Sequence, residues 1–300
     1  MKYRPKHIIE YIALRSFAWW FAILPYRGAL ALGWSLAWIG FHIARFRRAE
    51  ARERLLTVFP DRPIRELDRI AWQSWLNLVF STIEMLRMPD MTLDWLRRHS
   101  DFGRALRLLK RHCESGRGAI LALPHMGAWE MTGMICHLDG LPIFNIAARQ
   151  KNPLVADFID HLRANTGITT VSRGAGTMRT TIRTLREGGI LAILPDVRVH
   201  KGGLHLPFLG GTASLGKGMA LFARHANVPI LPVIVTRNGW AGHKVEMFDP
   251  VEPDPTLDKE TDVERMTRTV VDRINRRIQQ QPEQWFWFNK RWVLDPTGDA

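Results

Sequence analysis

The stretch "AILALPHMGAWEM", residues 119–131, decides how the rest of the chain is read. It opens as an unbroken apolar run, short enough for a buried strand, and breaks at Pro124, His125 and Gly127 before a helical pattern resumes. His125 therefore belongs at a strand-to-helix junction, where open α/β sheets bind their ligands. Glu130 follows five positions later. On one regular helix the two side chains would diverge, but with His125 in the loop and Glu130 in the first turns of the helix both reach one pocket. A carboxylate beside an imidazole fixes its tautomer and stabilises the imidazolium, as a general base that removes a hydroxyl proton requires. The plainer alternative is a loop histidine satisfied by backbone groups.

Helices and strands alternate on both sides of this junction. The pattern predicts helices over 103–114, 126–137, 153–165, 177–187 and 216–226, with strands over 119–123, 142–147, 168–171, 190–194 and 229–235. Residues 243–249 read as an edge strand, 259–281 as a long basic helix, and "WFWFNKRW" (285–292) as an aromatic tail suited to an acyl groove or to core packing. Such alternation implies an α/β fold with a mainly parallel central sheet flanked by helices. Two units are expected: an N-terminal membrane anchor over 1–48 and a catalytic domain over 49–300.

The anchor is read from "SFAWWFAIL" (16–24) and "GALALGWSLAWIGFHIA" (28–44), separated by a turn at Pro25. Each run is short for a bilayer crossing, which takes ~17–25 residues. Trp19, Trp20, Trp34 and Trp38 favour the headgroup level, and basic residues flank both ends. These features predict an in-plane or re-entrant helical pair on the cytoplasmic face of the inner membrane, held partly by anionic lipids of the inner leaflet. A buried helical hairpin of a soluble domain is the alternative. No small-residue cleavage site follows the apolar part, so a removed signal peptide is not expected.

Lys and Arg total 42 against 29 Asp and Glu, a net charge of +13. Such a surface attracts anions, whether nucleic acid, acidic lipid or acidic protein. No nucleic-acid-binding motif accompanies it, so nucleic acid is not an expected partner. A mean hydropathy of -0.13 excludes a protein that crosses the membrane many times. Cys113 and Cys136 lack metal-ligand spacing and read as buried thiols, and His125, His137, His200 and His205 form no zinc pattern, so no metal is expected. Gly210, Gly211 and Gly216 permit turns and close helix packing, and "GGTASLGKG" lacks P-loop spacing.

"LPHMGAWEM" resembles the H-x4-D/E signature of glycerolipid-type acyltransferases, specifically the lipid A late (lauroyl/myristoyl) acyltransferases and the related phosphatidylinositol mannoside acyltransferases. Further blocks extend the resemblance over nearly the whole chain: "ARQKNPLVADFID" (148–160), "LREGGILAILPDVRV" (185–199), "LPFLGGTASLGKGMALFARHANVPILPV" (206–233) and "PEQWFWFNKRW" (282–292). One departure is Ala128, where many members carry Asn before the tryptophan.

The resemblance implies that His125 deprotonates an acceptor hydroxyl, that Glu130 orients or assists it, and that Asp196, just past a strand end, completes a relay. A solvated loop aspartate is the alternative for Asp196. Arg149, Arg163 and Arg173 follow successive elements, and their guanidinium forks suit phosphate or phosphosugar recognition, the alternative being ordinary solvated arginines. Backbone N–H groups near Gly127 would serve the oxyanion. No cofactor is implied beyond an acyl thioester co-substrate, acyl carrier protein or acyl-coenzyme A, and the acceptor is a membrane lipid. Acyl carrier protein is the expected partner, because the basic segments 44–54 and 268–277 suit an acidic protein steered over distance.

Overall fold

The computed structural model describes residues 4–147, 151–165, 167–172, 174 and 176–294. Five helices come first: α1 (Pro5–Ile23), α2 (Tyr26–Trp38), which runs on through the π-helical turn Ile39–Ile43, α3 (Arg48–Val58), α4 (Ile64–Arg87) and α5 (Leu93–His99). The alternating part then comprises β1 (Ser100–Asp101), α6 (Gly103–Cys113), β2 (Ala119–Ala122), α7 (Glu130–Leu138), β3 (Ile143–Ala147), α8 (Pro153–Asn165), β4 (Thr169–Ser172), α9 (Thr177–Arg186) and β5 (Ile190–Ile193). A hairpin of β6 (Leu204–Phe208) and β7 (Gly211–Leu215) precedes α10 (Gly218–Ala226), β8 (Ile230–Asn238), β9 (Gly242–Met247) and α11 (Lys259–Gln280).

The main sheet has the order β1-β9-β8-β2-β5-β3-β4 and is parallel except between β8 and β9. Buried on both faces, β2 has no exposed residue and separates two apolar layers. Ile120 and Ala122 pack with Met219, Ala223, Met266 and Val270, whereas Ala119 and Leu121 pack with Leu109, Met131, Met134 and Ile135. The two-residue period of a strand makes this division. Helix α11 is held at its start by the Asp258 carboxylate, which accepts from the Glu260 and Thr261 N–H groups, and buries Val263, Met266, Val270, Ile274 and Ile278 at helical spacing.

Four expectations change. The helix after His125 begins at Glu130 rather than Met126, because Gly127 sits at φ +55° and Met126 pairs with Trp285 instead of starting a helical turn. The helix predicted from residue 216 begins at Gly218. The 204–215 region is a hairpin, turned at Leu209 (φ +51°) and Gly210 (φ +77°), where the sequence showed only turn glycines. Strand β9 is not outermost, because β1 pairs with it through Ser100 and His243. Cys136 is buried and Cys113 half-buried, both as free thiols, and burial pushes Cys136 up to about 12.

Helix α1 packs on α4 and α8, and α2 on α4. Ala29, Leu30, Gly33 and Ala37 are buried on α2. Much of the remaining surface is apolar and open, beside the exposed Lys6, Glu10, Arg15 and Arg27: Trp19 is 58% and Trp20 54% exposed, and Ile9, Ile12, Phe17, Trp34 and Trp38 also face outward. Among the described residues no single helix is long and apolar enough to cross a membrane.

Candidate active site

His125 lies three residues beyond β2, with its ring clamped from one side. Its Nδ1 is 2.9 Å from Asp196 Oδ1, and its backbone N–H donates to Asp196 Oδ2 at 2.7 Å. Asp196 follows β5, the parallel neighbour of β2, so the two strand ends deliver imidazole and carboxylate to the same edge of the sheet. The indole Nε1 of Trp285 donates to Asp196 Oδ2 at 2.8 Å. Asp196 is buried at 4% exposure and held by three hydrogen-bond contacts, which removes the solvated-loop alternative. Burial raises its carboxyl, yet the His125 and Trp285 donors outweigh this and hold it below the usual aspartate value. His125 is pulled down by burial and pushed further up by Asp196 and then by Glu130, ending above the usual histidine value.

A carboxylate only accepts hydrogen bonds, so Nδ1 carries the proton and Nε2 keeps its lone pair. His125 and Glu130 both line a cavity of about 690 Å³. The rest of the lining is largely apolar and includes Leu123, Ile143, Ile146, Ile168, Met219 and Phe222. Trp129 stands across the His125 ring at 5.2 Å between centroids. The site thus offers a poised base at one side of a greasy chamber.

The loop that carries His125 is stitched to the C-terminal segment. The Gly127 N–H donates to the Gln284 carbonyl (2.9 Å), and the Phe286 N–H donates to the His125 carbonyl (3.1 Å). A Cβ at Gly127 would come within 2.3 Å of the Val235 carbonyl oxygen, so only glycine permits this approach at its positive φ. The Gly127 N–H is consequently committed to structure, so among the backbone groups near Gly127 it is not the one available to an oxyanion. Beneath the loop, Ser81 donates to the Gly127 carbonyl at 2.9 Å and accepts from Arg237, which forms a buried pair with Glu84 at 2.6 Å. Tyr26 and His243 also bond to Glu84. Burial raises the Glu84 carboxyl, but Arg237 and His243 reverse this and hold it far below the ordinary glutamate value.

The structure thus brings His125, Glu130 and Asp196 together. Arg149 and Arg173 lie outside the described residues, as does the side chain of Arg163, whose backbone belongs to α8. Sequence reasoning missed Trp285, Ser81, Gln284 and Arg198. Arg198 is the only Lys or Arg lining the cavity among the described residues, and its spacing of two from Asp196 in "PDVRV" was the available signal. Trp285 left no such trace, since its tail fits an acyl groove or the core alike, and it is buried, in contact with Trp287 and Trp292. Among the described residues no three His, Cys, Asp or Glu side chains converge as metal ligands.

The H-x4-E junction, the second, buried acid and the apolar chamber on a mainly parallel sheet agree with the acyltransferase resemblance of the sequence. The bacterial lipid A biosynthesis acyltransferase family matches residues 3–293, and the chain belongs to that family. It is 25% identical to a phosphatidylinositol mannoside acyltransferase of Mycolicibacterium smegmatis over 62% of this chain, spanning 60% of that relative's length. It is 24% identical to a lipid A biosynthesis acyltransferase of Haemophilus influenzae over 89% of this chain and 82% of the relative. Identity to the lipid A biosynthesis palmitoleoyltransferase of Escherichia coli is 22%, over 99% of this chain and 94% of the relative.

Proposed function

We propose that the protein is a membrane-bound O-acyltransferase that moves a fatty acyl chain from a thioester to a hydroxyl of a lipid A precursor or a similar polar glycolipid. The observation that carries this reading is the His125–Asp196 couple opening on an apolar cavity of about 690 Å³. His125 Nε2 takes the hydroxyl proton as the acceptor oxygen attacks the thioester carbonyl, and Asp196 stabilises the imidazolium. The tetrahedral intermediate then expels the thiolate, which recovers the proton from His125. Glu130 adds negative charge beside the ring and favours the imidazolium. The N–H groups of Ala128 and Trp129, which precede the turn closed by the Met131 N–H bond to the Ala128 carbonyl, are the oxyanion donors in this reading.

The long matches to the Haemophilus and Escherichia proteins favour a lipid A precursor as acceptor over a mannosylated phosphatidylinositol. The donor is an acyl carrier protein thioester in preference to acyl-coenzyme A. The exposed Trp19, Trp20, Trp34 and Trp38 support an in-plane seat of α1 and α2 at the inner-leaflet headgroups, on the cytoplasmic face. To test this, purified full-length protein receives acyl carrier protein thioester with either acceptor, and products are read by lipid mass spectrometry. A gain of one acyl chain on the lipid A precursor is expected, reduced by about 10²–10⁴ in His125→Ala. Transfer by a folded His125→Ala variant at the normal rate would refute the mechanism, and acylation of the mannosylated lipid alone would reassign the acceptor.

A further inference from the structure

The basic segments that the sequence marked for a carrier protein are largely occupied. Arg48 and Arg52 pair with Asp68, and Arg54 donates to the carbonyls of Trp287 and Asn289. In the second segment Arg268 pairs with Glu264 and Arg277 with Glu246, while Arg273 donates to the Asp249 carbonyl. Most of these arginines thus already hold an ion pair or a hydrogen bond within the fold.

Helix α9 differs. It buries Thr181 and Leu185 and turns Arg179, Arg183 and Arg186 outward, at the four- and three-residue spacings that align side chains in one stripe. Arg179 and Arg183 have no carboxylate partner among the described residues, and Arg186 donates to the His225 carbonyl at the end of α10. Like charges four apart on a helix repel, so the stripe is unfavourable until an anion meets it. Exposed Met178, at 43%, and half-buried Ile182 run beside the arginines. With His225 they line an open depression of about 630 Å³, whose one carboxylate is Glu187 at its far end.

This stripe starts at the reaction chamber. Gly174 and Thr177, at the head of α9, line the cavity that His125 faces. At ~1.5 Å per residue the stripe reaches about 14 Å away at Arg186. It also lies across the sheet from α8, the helix on which apolar α1 packs. The chain moves outward across the sheet through β2, β3 and β4 and returns to β5, so right-handed crossovers place α7 and α8 on one face and α9 on the other. Helix α1 packs on α8, whereas α9 packs on α10. A stripe on that face is directed to a soluble partner.

We propose that the α9 stripe is the docking surface for the acidic acyl carrier protein, which seats a carboxylate-rich helix against Arg179, Arg183 and Arg186 and passes its thioester arm over Thr177 into the cavity. The proposal rests on the thioester-donor reading above. Its test compares wild-type full chain with the Arg179→Glu/Arg183→Glu double variant, using acyl carrier protein thioester and, separately, uncharged acyl-pantetheine. The expected result is a fall of about tenfold or more in kcat/KM for the carrier thioester, with a flattened dependence on ionic strength. Turnover of acyl-pantetheine and binding to anionic phosphatidylglycerol vesicles should be unchanged. Equal loss with both donors, no loss with the carrier, or a loss of vesicle binding in its place would each overturn the docking surface. A wild-type chain that uses acyl-pantetheine but not the carrier would overturn it too. Failure with every thioester instead removes the donor reading beneath it.

Discussion

Replacing Asp196 by Asn tests the site most sharply, because the two residues share a shape and differ in what they can accept. Asp196 Oδ2 receives the His125 N–H at 2.7 Å and the Trp285 Nε1–H at 2.8 Å, and Oδ1 faces His125 Nδ1 at 2.9 Å. An amide has one accepting oxygen. If that oxygen faces the two N–H donors, the NH2 group meets Nδ1, the imidazole proton moves to Nε2, and the base is lost. If the amide flips, both N–H groups are left buried without an acceptor, at about 1–3 kcal/mol each. The first arrangement is therefore favoured by about 2–6 kcal/mol, and the base-competent tautomer falls by a factor of about 30 to 10⁴. Single-turnover acyl transfer at saturating substrates should slow by that factor while KM and the circular-dichroism spectrum change little. An Asp196→Asn variant that is folded and keeps a third or more of the wild-type rate would refute the orientation argument.

Four further outcomes follow from the structure. Transfer requires neutral His125, whose value lies above the usual histidine 6.5, so kcat/KM should fall on acidification with a midpoint above that value, and a midpoint below it would contradict the pairing. Stability carries the matching signature. The raised His125 stabilises the fold below 6.5 and loses this as pH rises through its folded value, whereas the lowered Asp196 stabilises above 3.8 and loses this as pH falls, so the pair contributes fully between those values. Glu84→Gln leaves Arg237 buried without its counter-charge and should destabilise by about 3–5 kcal/mol in denaturant melts, and a change under 1 kcal/mol would show that the cluster is not a structural support of the His125 loop. Trp19→Ser with Trp20→Ser, at two exposed positions, should leave thermal stability unchanged and weaken sedimentation with vesicles, and undiminished sedimentation would place the membrane contact elsewhere.

Local chemistry was enough to read much of this protein. The unbroken apolar run before Pro124 reads as a buried strand, as it is, and helix-strand alternation with β-branched and apolar runs implied a mainly parallel sheet. Period and turn residues act over a few positions, so they are visible without the fold. The same holds for His125 and Glu130, close enough in sequence that one strand-to-helix junction presents both to one cavity. What the sequence could not rank was the partner of the imidazole. Glu130 is the neighbour in the chain, but the hydrogen-bonded carboxylate is Asp196, 71 residues away, delivered because β5 lies in register beside β2. The aromatic tail was equally undecided between groove and core. In three dimensions Trp285 belongs to the core and still turns one N–H onto Asp196, a contact 89 residues apart that no spacing rule encodes. The charge pattern behaves likewise: arginines counted along the chain look alike, and only packing separates those neutralised by Asp68, Glu84 and Asp262 from those left open on α9. Composition sets how much charge there is, but the fold decides where it remains unbalanced, because a salt bridge depends on distance in space and not on position in sequence.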